Sequence, residues 1–267
     1  MKISVVTPVY NSAPFVEEAV TSVLSQRSGE VDLQYIVVDG GSTDGSLKII
    51  GKYASGISLI ISEPDGGPAN AVNKGLSRAD GDILCWLNAD DRYFPGALER
   101  VGRAVAGRPG AALFFGRCPI INESGKEIRR GITLFKQLFF PLSSRFTLQC
   151  INYISQPAAF FRRSAWEKAG PLREDLKAAW DYDLFLRLLR HGRAARIRGE
   201  PPAAFRWHPA SISGSQFNRQ FREEWEAAVR DAGRLSPQAL IHLGVRWGIV
   251  GSYSVMAALR SSGRTRF

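Results

Sequence analysis

The chain has 267 residues, 45% of them apolar and 22% charged. That is an ordinary globular composition and excludes a disordered or low-complexity protein. A formal charge of +10 and a pI near 9.8 imply an anionic partner, whether nucleic acid, an anionic membrane surface or a phosphorylated substrate. The excess is uneven: from Arg190 onward thirteen arginines and no lysine face five acids, so +8 of the +10 lies in the last third.

Lys2 to Thr7 predicts a strand closed by Pro8. Ser12, Pro14 and the acids Glu17 and Glu18 predict a helix start, and Phe15, Ala19 and Val23 with Val16, Val20 and Leu24 give the i, i+4 apolar stripe of a helix ending near Gln26. A second strand, Leu33 to Val38, ends at Asp39 and a Gly40-Gly41-Ser42-Thr43-Asp44 turn, followed by a helix to about Tyr53. A third, Ile57 to Ile61, leads through Glu63-Pro64-Asp65-Gly66-Gly67-Pro68 to a helix ending near Leu76. The fourth apolar run, Ile83 to Leu87, ends abruptly in Asn88-Ala89-Asp90-Asp91, with a helix from about Pro95 to Val105 and a fifth strand at Ala111 to Phe115. Strands alternating with helices imply an α/β fold with a doubly wound, mostly parallel sheet.

The second half is less regular. Asn122-Glu123-Ser124-Gly125 reads as a hairpin turn, Phe135 to Phe146 as an aromatic, loop-like stretch, and Ala158 to Phe161 as a short strand. Short helices are expected at Ser164 to Ala169 and Asp183 to Leu189, a last strand at Ala203 to Trp207, and helices at Gln216 to Ala232 and Pro237 to Leu259. Cys85, Cys118 and Cys150 are odd in number and widely spaced, which fits neither a zinc site nor a disulfide framework and suggests a reducing, cytoplasmic compartment. The short apolar opening is too brief for a signal peptide, and no run of about 20 apolar residues predicts a membrane span.

Thr7, Asp39, Asp65 and Asn88 to Asp91 each follow a predicted strand, and in a parallel sheet all four converge on one edge, where open α/β sheets bind ligands. Helix capping is the competing role for Asp90 and Asp91. Pro8-Val9-Tyr10-Asn11-Ser12-Ala13 stands where a dinucleotide fingerprint would need G-x-G-x-x-G, and no P-loop is present. What remains, acids plus the aromatic Tyr10, suits a base and a ribose, while the paired carboxylates suit a diphosphate held through Mn²⁺ or Mg²⁺.

Together these segments resemble the inverting glycosyltransferases of family 2, with an A-type glycosyltransferase fold. Val6-Thr7-Pro8-Val9-Tyr10-Asn11 is similar to the family's opening strand and nucleotide-contacting turn, and Val37 to Asp44 to a second motif whose first acid, here Asp39, contacts the nucleoside. Asp65-Gly66-Gly67-Pro68-Ala69-Asn70 resembles the stretch whose acid recognises the base, and Asn88-Ala89-Asp90 occupies the place of the D-x-D metal motif. Gln156-Pro157 and Trp180-Asp181-Tyr182-Asp183-Leu184 resemble the acceptor-side segments, and Arg206-Trp207-His208-Pro209-Ala210-Ser211 a later loop that can close over the diphosphate. Three positions depart from the pattern: Gly40 in place of a second acid, Asn88 in place of the first acid of D-x-D, and Trp180 in place of a Glu before the base.

The resemblance implies a nucleotide-sugar site of Thr7, Pro8, Tyr10, Asn11, Asp39, Asp65, Asn70, Asn88 and Ala89. It further implies Asp90 as metal ligand, Asp181 as the base that takes the acceptor's proton, and an acceptor side of Gln156, Trp180 and Asp183, with Asp91 in support. His208 is a candidate third metal ligand or diphosphate contact, while His191 and His242, in basic helical surroundings, read as surface residues. Asp181 could instead cap the following helix. Residues 1–213 then form the catalytic domain, with a nucleotide-sugar half at 1–116 and an acceptor half at 117–213, and 214–267 a basic helical extension. The donor is expected to be a UDP-sugar and the acceptor a saccharide or a lipid-linked saccharide. The extension either packs on the domain or lies on an anionic membrane. Nucleic acid is not expected, because no known module or interleaved stacking aromatics accompany the basic residues. The alternatives are a non-catalytic nucleotide-sugar-binding module and a sugar-phosphate nucleotidyltransferase.

Overall fold

The computed structural model describes residues 1–248. In chain order the elements are β1 (Lys2–Val9), α1 (Val16–Leu24), β2 (Asp32–Asp39), α2 (Ser46–Gly51), β3 (Leu59–Ser62), α3 (Pro68–Leu76), β4 (Ile83–Trp86), β5 (Arg92–Tyr93), α4 (Ala97–Ala106) and β6 (Ala111–Phe115). They continue with β7 (Ile120–Ile121), β8 (Glu127–Ile128), α5 (Arg130–Gln137), α6 (Arg145–Cys150), β9 (Ala159–Arg162), α7 (Arg163–Ala169), α8 (Trp180–Leu188), β10 (Arg193–Arg196), β11 (Ala203–Arg206), α9 (Ile212–Ser215) and α10 (Phe217–Ala232). A further helix begins at 237 and runs to the last described residue, 248.

Among the described residues, seven strands form the main sheet in the order β10-β6-β9-β4-β1-β2-β3. The expected α/β alternation holds through β6, and the sheet is parallel except at β9, which runs antiparallel between β4 and β6. The apolar runs are continuous because the strands are buried on both faces. Val5, Cys85, Phe114 and Phe160 pack with α1 and α4, while Val6, Trp86, Phe115 and Phe161 pack with α3 and α8. A Cβ at Gly75 of α3 would lie 2.4 Å from Val6, so the glycine lets this helix press onto β1. A second, four-stranded sheet, β5-β11-β7-β8, carries the Asn122 to Gly125 hairpin turn as expected.

The structure corrects the expected elements and surface at three points. The stretch from Phe135 to Phe146 is not a loop: it contains the end of α5, a 3-10 turn at Phe140–Leu142 and the start of α6, which bury Thr133, Phe140 and Leu148 while leaving other apolar residues outside. The edge strand β10 was unforeseen because Arg193-Ala194-Ala195-Arg196 carries no β-branched or aromatic residue; its pairing with β6 decides its state. His242 is 2% exposed rather than a surface residue, its Nδ1 lying 3.0 Å from the Gln149 carbonyl and 3.4 Å from the Tyr182 hydroxyl, whereas His191 is exposed. No helix of the described residues is long and apolar enough to cross a membrane. Residues 249–259 of the expected last helix lie outside the described residues.

Candidate active site

Because β1 to β4 are parallel, the loops leaving their carboxyl ends share one edge, and the chain changes winding direction between β1 and β4. A cleft of about 930 Å³ opens there. Its walls bring together Tyr10 and Asn11 after β1, Gly40 after β2, Asp65 after β3 and Asn88 to Asp90 after β4. The reversed strand β9 adds Gln156, since its amino end lies on the edge where the parallel strands finish; α8 adds Trp180 and Asp181, and the loop after β11 adds His208.

At one end, Tyr10 is 65% exposed and Pro8 lies beside it. Asn11 holds the β1 turn to the β2 turn, accepting from the Thr43 N–H (2.9 Å) and donating its own N–H to Ser42 Oγ (2.9 Å). Asp39 is fully buried; its carboxylate accepts from Ser62 Oγ (2.8 Å) and from the N–H groups of Gly41 (3.3 Å) and Ser42 (3.2 Å), so it frames the turn and is not part of the cleft wall. Thr7 is likewise buried, accepting the Tyr35 hydroxyl at 3.1 Å, and Asn70 bonds Glu174 (2.9 Å) away from the wall. Asp65 accepts the Gly67 N–H at 2.7 Å. A Cβ at Gly40 would come within 2.6 Å of Asp65 Oδ2, so the missing side chain at 40 is the room that the Asp65 carboxylate occupies.

In the middle, Gln156 Nε2 donates to the Trp86 carbonyl (2.7 Å), which turns its Oε1 toward Asn88. Asn88 Nδ2 donates to that oxygen (3.1 Å) and to Asp91 Oδ2 (3.1 Å), so both its amide hydrogens are spent and its own oxygen is left for the cleft. Asp91 is 1% exposed and also accepts the Arg206 N–H (2.8 Å); burial raises its carboxyl well above the ordinary range. Neither Asp90 nor Asp91 caps α4, whose N-cap is Gly96. Arg206, 1% exposed, donates to the backbone carbonyls of Asp90 (2.7 Å), Asn122 (2.9 Å) and Glu123 (2.8 Å) and pairs with Glu18. It ties the Asp90 loop to the second sheet, and two residues later His208 Nε2 meets Asp90 Oδ2 at 3.1 Å. That hydrogen bond, ahead of all other effects, raises the imidazole above its ordinary value. Ala89 contributes to the wall beside them.

At the other end, α8 has Ala179 as its N-cap, so Asp181 is inside the first turn rather than capping. Its carboxylate accepts the Tyr182 N–H at 2.7 Å. Burial pushes its pKa up to about 6; the Tyr182 N–H opposes this, the nearby Glu224 carboxylate adds to it and the Lys136 ammonium works against it. Asp183 is 6% exposed and held by Arg187 (2.9 Å) and Arg230 (3.4 Å), off the cleft wall.

Several residues at this end escaped the sequence reading. Glu223 of α10 accepts N–H groups of Lys177 (3.0 Å), Ala178 (2.8 Å) and Ala179 (3.1 Å), fixing the entry to α8 and so Asp181. Glu224 accepts Asn152 Nδ2 (3.0 Å) and Gln220 Nε2 (3.1 Å), and Lys136 donates to Ser155 Oγ (3.1 Å). Asn152 lines the cleft, and its Oδ1 is buried with no partner in the protein, which costs about 1–3 kcal/mol unless a ligand or water satisfies it. The signal was present: Glu223 and Glu224 stand one helical turn before Ala227 and Ala228, and acids on such a small-residue stripe are acids on a buried face.

The profile of Glycosyl transferase family 2 matches residues 4–170. The chain is 31% identical over 193 residues to the hyaluronan synthase of Pasteurella multocida and to the chondroitin synthase of its strain Pm70, alignments that cover 72% of this chain but 19% of each of those proteins. It is also 31% identical over 189 residues to an uncharacterized glycosyltransferase of Mycobacterium tuberculosis strain H37Rv, covering 69% of this chain and 68% of that one. Among solved structures, residues 1–349 of S. aureus TarS in complex with UDP-GlcNAc superpose with a TM-score of 0.68 at 18% identity, over 86% of this chain and 67% of that one. The mannosyltransferase PcManGT from Pyrobaculum calidifontis, in complex with GDP-Man and Mn²⁺, superposes with a TM-score of 0.65 at 20% identity, over 97% of this chain and 75% of that one. With the profile spanning well over half the chain and the fold shared, this protein belongs to glycosyl transferase family 2.

Proposed function

We propose that this glycosyltransferase moves a sugar from a nucleotide-diphosphate donor, a UDP-sugar, to a saccharide or lipid-linked acceptor hydroxyl with inversion, in polysaccharide or glycoconjugate synthesis. One observation carries the reading: a single cleft is lined by Tyr10 and Asp65, by Asp90 with His208, and by Asp181. Tyr10 offers a face for a base and Asp65 an acceptor for its ring N–H, with the Asn88 oxygen left for a ribose hydroxyl. The UDP-GlcNAc complex of TarS and the GDP-Man complex of PcManGT support a nucleotide-sugar donor.

The middle of the cleft fits a divalent cation. Asp90 and His208, whose Oδ2 and Nε2 meet at 3.1 Å in the cleft, are the side chains that would hold it. No group of three or more His, Cys, Asp or Glu side chains suited to a metal occurs among the described residues, so the protein would supply this pair and the donor's diphosphate would be needed beside it. A mixed carboxylate and imidazole pair favours Mn²⁺ over Mg²⁺. When bound, the cation supplies Lewis-acid stabilisation of the charge that builds on the leaving diphosphate.

Asp181 takes the proton from the acceptor hydroxyl as that oxygen attacks the anomeric carbon from the face opposite the nucleotide. The bond between that carbon and the diphosphate oxygen breaks, leaving an inverted glycoside and a nucleoside diphosphate. A pKa near 6 makes Asp181 a stronger base than an ordinary carboxylate while keeping it ionised above neutral pH. Three free, buried cysteines suit a cytoplasmic setting, and the basic residues after 213 suit contact with the inner face of a membrane. Thermal-shift titration with UDP and GDP, each with and without Mn²⁺, tests the reading. UDP with Mn²⁺ at 100 times its Kd adds about 2.7 kcal/mol of stability, and His208→Ala removes the manganese-dependent part. Absence of binding by either nucleotide, with or without Mn²⁺, overturns it.

A further inference from the structure

We infer that the face formed by α5, α6 and the turn between them docks on an anionic lipid bilayer. Of the twelve large apolar side chains exposed among the described residues, five lie between 134 and 146: Leu134 (52%), Phe135 (44%), Leu138 (69%), Leu142 (66%) and Phe146 (52%). Single exposed apolar residues are ordinary, but a group of this size within thirteen positions marks an interface. They are carried by α5, the turn that follows it and the start of α6.

The charge around them selects the occupant. From Ile128 to Trp166 the sequence has six cations and not one Asp or Glu; Arg130 is exposed, Arg145 is part-exposed beside Asp231, and Lys136 and Arg162 are turned inward to Ser155 and to backbone carbonyls. Apolar side chains within a stretch of uniformly positive charge have the composition of a segment that sinks its apolar side into a headgroup layer beside anionic lipids. The neighbouring helix extends the face: His242 binds the carbonyl of Gln149 in α6, and Leu240, Ile241 and Trp247 on that helix are 56%, 47% and 66% exposed. This surface is distinct from the donor site, yet Lys136 of α5 lines the acceptor end of the cleft, so docking here sets that end at the bilayer.

Flotation of the full chain with vesicles of phosphatidylcholine alone or with phosphatidylglycerol tests the inference. Wild type floats with the anionic vesicles and not with the neutral ones, and Leu138→Glu with Leu142→Glu lowers the bound fraction at least tenfold. The same double variant keeps wild-type affinity for UDP and Mn²⁺, which separates loss of docking from misfolding and from failure of the donor reading. Undiminished flotation of the double variant overturns the inference, because binding then resides elsewhere, as in the arginines after 248. No flotation of wild type overturns it too, as does sedimentation showing a dimer that the double variant dissolves, which would assign the face to a second copy.

Discussion

The carboxylate assigned as base is held in the folded protein at a cost in stability. Its pKa rises from 3.8 to about 6 on folding, and a shift of roughly two units is worth about 3 kcal/mol at ~1.4 kcal/mol per unit. Asp181 keeps some contact with water, so about 2 kcal/mol is the fair magnitude. Since the folded-state value lies above the unfolded one, the folded chain binds the extra proton between about pH 4 and 6, and stability falls as pH rises through that window. Asn at 181 keeps an oxygen for the Tyr182 N–H and carries no charge. Asp181→Asn therefore gains about 2 kcal/mol at pH 7.5, a rise in Tm of roughly 4 °C for a chain of this length, and almost nothing at pH 4. Glycosyl transfer by the same variant falls about 10²–10⁴-fold, the usual contribution of a general base. Thermal unfolding from pH 4 to 8, alongside donor turnover, measures both. A variant no more stable than wild type at pH 7.5, or stabilised equally at every pH, would refute the reasoning about burial, and retained transfer would refute the assignment of the base.

The neighbours of Asp181 shift its titration in opposite senses. Glu224→Gln removes a negative neighbour and lowers the midpoint of the acid limb of kcat/KM, while Lys136→Met removes a positive one and raises it; movement of both in one direction would discard the electrostatic account. Asn88→Asp replaces a double donor by a carboxylate facing Asp91 and Gln156 Oε1. It should cost about 2–3 kcal/mol in urea unfolding at pH 7.5, and an unchanged midpoint would show that the Asn88 hydrogen bonds are not needed.

What was legible in the sequence was what local pattern determines. Apolar runs ending in polar residues located β1 to β4, and parallel pairing then required Tyr10, Asp65 and Asp90 to share an edge. The orientation of β9 was not legible, because strand direction depends on the path of the whole connection from 116 to 158, yet that reversal delivers Gln156 to Asn88. Nor could local pattern distinguish a site acid from a supporting one: Asp39 and Asp91 follow strands as Asp65 and Asp90 do, but their carboxylates are consumed by backbone N–H groups and by Asn88. The positioning residues Glu223 and Glu224 come from a helix far along the chain, and only the packing of α10 on α8 brings them to Asp181 and the entry of α8.

The three departures from the family pattern have one kind of cause, a neighbour that already fills the role or the space. At Gly40 a side chain would collide with Asp65, so a single acid stands at that point of the cleft. At 88 the neighbours are both acceptors, a carboxylate and an amide oxygen whose direction the Trp86 carbonyl dictates, and only an amide can donate to both. At 180 the indole is 9% exposed and joins the core under α8, so no carboxylate stands before Asp181 in the chain. Burial is the main cause that raises Asp181, and the acid that adds to it is Glu224, brought by α10 from 43 residues further on. A substituted motif is thus balanced by contacts the motif itself does not contain. The same logic makes the pairs, not the single positions, the units to exchange: Gly40 with Asp65 and Asn88 with Asp91.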